Sequence, residues 1–119
     1  METTRALPAP PSPYDTRFAM ILILLRYVKP IEEVEAHTAA HRAYMEKLLG
    51  DGKLIFSGPR EPRVGGVILT TLDSEVEATK LIVDDPYFEN GVAEYDVVRF
   101  NPNRHDPRFA AFMPQAAGV

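Results

Sequence analysis

One uninterrupted apolar stretch, Phe18-Ala19-Met20-Ile21-Leu22-Ile23-Leu24-Leu25, constrains the fold more than any other feature of the chain. A strand with one face in water alternates apolar and polar residues. This stretch is apolar at every step, so residues 17–28 read as a strand covered on both faces, in the middle of a sheet. It falls far short of the roughly 20 residues that a membrane-spanning helix needs. It also makes a poor export signal, because Arg26-Tyr27-Val28-Lys29 follow where small residues should mark a cleavage site. The expectation is a soluble cytoplasmic protein with no membrane partner.

The prolines mark the edges of the folded unit. Of 11 in a chain of 119 residues, Pro8, Pro10, Pro11 and Pro13 lie before the apolar run, and Pro102, Pro107 and Pro114 lie beyond Phe100. Residues 1–16 show no hydrophobic period and read as a flexible Pro-rich extension. Residues 17–101 form the domain, and 102–119 a C-terminal tail. In that tail Asp106-Pro107 is a helix start, and Phe109, Phe112 and Met113 share one side of a short turn, so a docked helix is expected there.

Charge and composition remove whole classes of function. The net charge of -4 comes from 13 Lys plus Arg against 17 Asp plus Glu, which leaves no basic face for phosphates and argues against a nucleic-acid partner. With no Cys, disulfide scaffolds, thiol nucleophiles and thiolate metal sites are excluded.

A single helix over 30–49 follows the first strand. Pro30 suits its first turn, Glu32 and Glu33 suit its dipole, and Ile31, Val34, Thr38, His41, Met45 and Leu48 form one inward stripe. Gly50-Asp51-Gly52 ends it. Strands are expected over 53–57 and 65–72, joined by a connection over 58–63. Asp73 or Ser74 caps a second helix, with Ser74 and Glu77 in capping-box spacing and Ala78, Leu81 and Ile82 facing inward. That helix stops before Pro86, Phe88 reads as a core residue, Gly91 closes a turn, and 92–100 is the fourth strand. The order strand, helix, strand, strand, helix, strand is the ferredoxin-like split βαβ pattern of the α+β class. Its crossovers place the first and third strands in the centre of an antiparallel sheet with both helices on one face. The other face still needs a cover, and a second copy of the chain, in a homodimer, supplies one economically.

Two places invite chemistry. His41 stands in an inward stripe, where an imidazole needs a partner; the plain alternative is a histidine satisfied for purely structural reasons. His37 lies one turn earlier, but His37-Thr38-Ala39-Ala40-His41 has no glutamate between its histidines and no evident third ligand, so no metal is expected and His37 reads as a rim residue. Asp84-Asp85 close a helix at the end where the dipole disfavours negative charge. Either they form a simple helix stop, with one aspartate in an Asx turn, or one of them orients an imidazole. Arg60 and Arg63 flank Pro62 on the connection; loop arginines are commonly just solvated, while one here has the donor geometry to hold a substrate carboxylate. Ser57 and Tyr87 are secondary candidates for lining the same cleft.

Taken together, His41, Gly52-Lys53-Leu54, Ser57-Gly58-Pro59, Gly65-Gly66-Val67-Ile68, Asp85-Pro86-Tyr87 and Gly91 resemble the YciI-like family, or YCII-related domain, over residues 17–101. Ala40-His41-Arg42-Ala43-Tyr44 and Pro62-Arg63-Val64-Gly65-Gly66 look like the short stand-alone bacterial members. The resemblance implies a dimeric α+β barrel of two ferredoxin-like subunits with a His-Asp cleft, here His41 and Asp85, with Asp84 as the adjacent alternative. One branch of the family resembles dehydrochlorinases acting on chlorinated hydroxyquinols. The Pro-rich front extension and the aromatic tail depart from the minimal family pattern.

The expected function is therefore cofactor-free acid–base chemistry on a small organic acid or phenol-like molecule: elimination, isomerisation or dehydrochlorination. Asp85 fixes the His41 tautomer while the other ring nitrogen moves a proton. The alternatives are a non-catalytic small-molecule binding or regulatory module on the same barrel, and a dimer whose His-Asp pair is only structural. No glycine-rich nucleotide fingerprint contributes, since Gly65-Gly66 opens a strand instead of a helix.

Overall fold

The structure, a computed structural model, describes residues 19–113. The expected front extension and the first residues of the expected strand lie outside them. Strand β1 runs Met20–Tyr27, followed by helices α1 (Ile31–Glu35) and α2 (Thr38–Gly50). Strands β2 (Leu54–Pro59) and β3 (Gly65–Thr70) come next, then helices α3 (Glu75–Val83) and α4 (Pro86–Glu89), and strand β4 (Ala93–Phe100). The sheet order is β2-β3-β1-β4 with every neighbouring pair antiparallel. This is the ferredoxin-like arrangement, with the two most apolar strands in its centre as their sequences require. No helix among the described residues is long and apolar enough to cross a membrane.

Alternation along β1 sends Ile21, Ile23 and Leu25 toward the helices, where they are buried with Val34, Met45, Leu48, Ile68, Leu81, Ile82 and Tyr87. Leu22 and Leu24 point the other way, and register places Leu22 opposite Leu69 and Val98, and Leu24 opposite Val67. Phe56 lies opposite Leu69 on the same open face. Phe56 is 51% exposed and Val98 40%, so this apolar face is left partly uncovered by the chain's own described residues.

Three expectations need correction. The helix expected over 30–49 is two helices: the Thr38 hydroxyl donates to the Val34 carbonyl at 3.2 Å, and the His37 N–H reaches the same oxygen at 3.0 Å. The carbonyl is thus served locally instead of by the Thr38 backbone. Ile31, expected in the inward stripe, is exposed on the short first piece. Phe88, expected in the core, is 46% exposed while Tyr87 beside it is buried; the four-residue α4 turns only one of the two rings inward. In the tail, Asp106 caps a 3₁₀ helix, Pro107–Phe112, through the Arg108 N–H at 2.8 Å, but no residue of that helix is buried. Phe109 packs against its own neighbours His105 and Phe112.

Other local readings match the structure. Ser74 is the cap of α3, its hydroxyl accepting from the Glu77 N–H, and Gly91 adopts a left-handed φ of 66°. Strand β2 extends through Gly58 and Pro59, and a register shift lies between Leu54 and Phe56. The bulge has a consequence for the site: it turns Ser57, opposite Ile68, onto the helix side of the sheet.

Candidate active site

The site is assembled where α4 begins. Pro86 suits the first position of that helix, and Asp85 before it is extended (φ -73°, ψ 126°), so its carboxylate reaches back to accept the Tyr87 N–H at 3.0 Å. The same oxygen, Oδ1, lies 2.8 Å from His41 Nδ1 on α2, and Oδ2 accepts the Tyr95 hydroxyl from β4 at 2.8 Å. The Asp85 side chain is 0% exposed and that of His41 14%. Asp84, by contrast, is exposed as the C-terminal cap of α3. Of the two adjacent carboxylates, Asp85 is the partner of His41.

All three groups around Asp85 stand as hydrogen-bond donors. An acceptor at Nδ1 fixes His41 in the Nδ1–H tautomer and leaves Nε2 with its lone pair. The ring plane is set by Tyr87, stacked on His41 with centroids 4.0 Å apart and planes 11° from parallel. Tyr87 is itself held by the Thr38 hydroxyl, 2.8 Å from its own. Burial, then the Asp85 charge and hydrogen bond, push the Tyr95 phenol well above its ordinary range, so it stays a proton donor to the carboxylate. Burial, then the Asp84, Asp85 and Glu89 carboxylates, raise Tyr44 to about 12; its hydroxyl donates to the Leu81 carbonyl at 2.6 Å.

His41 opens onto a cleft of about 260 Å³ between α2 and the β2–β3 end of the sheet. Leu25, Met45 and Ile68 form its apolar floor, Tyr27 and Tyr87 an aromatic wall, and Ser57, Arg42, Glu46 and Arg63 its polar rim. Gly65 and Gly66 form the side nearest β1. A methyl on Gly65 would collide with the Leu25 carbonyl of β1, and one on Gly66 would press the Gly58 carbonyl of β2 at 3.2 Å, so the two glycines let β3 run close to both neighbouring strands beside the cleft. Arg63 donates to Glu35 at 2.9 Å and lies 5.9 Å from the Tyr27 ring centroid. The Tyr27 phenol, and next the Glu35 carboxylate, favour its charged form.

Of the residues singled out in the sequence, His41, Asp85, Ser57, Arg63 and Tyr87 meet at this site. Arg60 does not line the cleft; its backbone N–H pairs with the Gly65 carbonyl across the hairpin. His37 is the half-buried residue preceding α2. Among the described residues no three His, Asp or Glu side chains come together as a metal would need. Sequence reasoning missed Tyr95, Tyr27 and the hydroxyl role of Thr38. The signal for Tyr95 was present: alternation puts it on the inner face with Ala93 and Val97, and a buried phenol needs a hydrogen-bond partner.

A four-stranded ferredoxin-like sheet with a carboxylate-oriented imidazole in a small cleft defines the class. The YCII-related domain model matches residues 20–101, and the chain belongs to that family. No curated protein matches the chain. Among solved structures it is similar to the 5-chloro-2-hydroxyhydroquinone dehydrochlorinase of Burkholderia phenoliruptrix AC1100 in complex with 2,5-dihydroxybenzoquinone. The TM-score is 0.59 and the identity 22%, over 75% of this chain and 98% of that one. At that identity the likeness concerns the fold.

Proposed function

We propose that the protein is an acid–base enzyme in which His41 and Asp85 transfer protons on a small organic acid or a phenol-like substrate. The observation that carries this is the His41 Nδ1 to Asp85 Oδ1 contact of 2.8 Å, with the imidazole opening onto a cleft. A carboxylate bound by three donors leaves Nε2 as the group free to take a proton, and the positive charge then formed on the ring faces Asp85. The reaction routes through the protein's own side chains, with no nucleophile, metal or cofactor in the sequence of steps. In an elimination of the dehydrochlorinase type, His41 takes a substrate proton, the electron pair moves through the ring system, and chloride leaves with its own pair. The cleft volume lies below the roughly 300 to 1,000 Å³ of drug-sized sites, which favours a substrate of about one ring.

The assembly we propose is a homodimer through the open face of the sheet, supported by Leu22, Leu24, Val67, Leu69, Phe56 and Val98 converging there. Light scattering at micromolar concentration is expected to give twice the chain mass; a monomer mass refutes the dimer.

The chemistry is tested with a thermal-shift screen of small carboxylates, quinols, chlorinated hydroquinones and lactones, since a ligand of the native state raises the melting temperature by mass action. Hits are then followed for turnover by wild type and His41→Asn. Turnover that falls about 100-fold or more in the variant supports the reading. Binding without turnover makes the protein a ligand-binding module, and turnover indifferent to His41 refutes the dyad.

A further inference from the structure

The cleft holds a second polar centre that the His41–Asp85 unit does not use. Tyr87 stands between the two, stacked on His41 at 4.0 Å on one side and meeting Tyr27 edge to face at 5.8 Å on another. Beyond Tyr27 lies Arg63, tied to α1 by Glu35 at 2.9 Å and placed 5.9 Å from the Tyr27 centroid. One N–H of Arg63 serves Glu35, and a guanidinium has five. Both Tyr27 and Arg63 line the cleft.

A base alone is a weak enzyme. Proton removal beside a carbonyl or from a hydroxylated ring pushes an electron pair onto oxygen, and rate depends on donors already aimed at that charge. Ser57 offers a neutral hydroxyl, Glu46 repels an anion, and Arg42 is an exposed residue on α2 at the rim. Tyr27 and Arg63 instead pair a phenol O–H with a cation pinned from two elements.

We propose that Tyr27 and Arg63 form the oxyanion-binding pair of this cleft, holding the substrate oxygen that becomes negative when His41 takes a proton; the proposal rests on the acid–base reading of His41. Nε2 of His41 takes the proton, the C–H or O–H pair moves into the substrate π system, and the carbonyl π pair moves onto oxygen. That oxyanion accepts from the Tyr27 O–H and an Arg63 N–H. When the carbonyl re-forms, the returning pair either expels a leaving group with its electrons or recovers the proton from His41 at a different atom. Tyr27 and Arg63 bind charge throughout and are not consumed.

The pair is testable by binding alone, with 4-nitrophenol as the probe, because its yellow phenolate reports the ionisation state of the bound molecule. Wild type is expected to bind the phenolate at least about tenfold more tightly than the phenol, a preference of about 1.4 kcal/mol. Arg63→Gln is expected to remove the preference and Tyr27→Phe to reduce it several-fold, while Arg42→Gln and His41→Asn keep it. The melting temperature of each variant checks the fold, and Arg63, being on the surface, tolerates the change. Equal uptake of phenol and phenolate by wild type, binding of neither, or a preference that survives in Arg63→Gln and Tyr27→Phe overturns the proposal. Because His41→Asn is expected to retain the preference, failure here is distinct from failure of the dyad in the turnover assay.

Discussion

Asp85 is the residue on which the site turns, and comparing two substitutions there separates its shape from its charge. Its Oδ1 accepts the Tyr87 N–H at 3.0 Å and lies 2.8 Å from His41 Nδ1, while Oδ2 accepts the Tyr95 hydroxyl at 2.8 Å. In Asp85→Asn the amide oxygen keeps both partners of Oδ1, and the NH₂ takes the place of Oδ2. The Tyr95 hydroxyl then rotates from donor to acceptor, as a hydroxyl can. Only the charge assistance is lost, which costs about 1 kcal/mol. Asp85→Ala removes the α4 cap, at about 1 kcal/mol, and leaves the Tyr95 hydroxyl without its partner at about 1 to 3 kcal/mol more. His41, on the cleft side, finds water. The alanine variant should therefore lose about 3 kcal/mol. In a domain of this size that lowers the melting temperature by roughly 12 to 24 °C, against roughly 4 to 8 °C for asparagine. Urea denaturation at one fixed protein concentration measures both. Equal stability of the two variants, or an alanine variant within about 1 kcal/mol of wild type, refutes the idea that three groups depend on this carboxylate.

Other consequences are checked as readily. His41→Asn leaves a water-sized gap open to the cleft, so stability should move by less than about 1 kcal/mol while turnover of the identified substrate falls about 100-fold; a large loss of stability would mark the pair as structural. Gly65→Ala drives a methyl into the backbone of Leu25 and Arg26, which cannot give way, and should cost about 1 to 3 kcal/mol by denaturant titration; an unchanged midpoint contradicts the close β1–β3 approach. Tyr44, raised to about 12, should appear in an ultraviolet pH titration as a phenol ionising late. Its folded value lies above its unfolded value, so its stabilising contribution is complete below about pH 10 and lost as pH climbs toward 12; a Tyr44→Phe variant with the same alkaline stability profile as wild type contradicts this.

Much of the framework was legible from local chemistry. The run ending at Leu25 has no polar face, which places it centrally without knowledge of any partner strand. Ser74 and Glu77 announce a helix start by spacing alone. The links among His41, Asp85 and Tyr95 are of another kind: they join α2, α4 and β4, and no periodicity encodes which buried polar groups meet across elements. The resemblance to a family named Asp85; the structure separates it from Asp84 by burying one and capping α3 with the other. The errors have local causes. A threonine hydroxyl competing for the Val34 carbonyl splits a helix whose stripe looked continuous. A four-residue helix decides between Tyr87 and Phe88 for the interior, and its stripe is too short to read.

The central claim is that Asp85 holds His41 with Nδ1 protonated and Nε2 bare toward the cleft. Long-range ¹H–¹⁵N correlation spectra of the imidazole side chains, recorded where the ring is neutral, test it without any substrate. For His41 the account predicts the Nδ1–H tautomer in wild type and in Asp85→Asn, and loss of that preference in Asp85→Ala. A wild-type spectrum showing His41 protonated on Nε2 would contradict it, because the nitrogen assigned to proton transfer would then carry no lone pair.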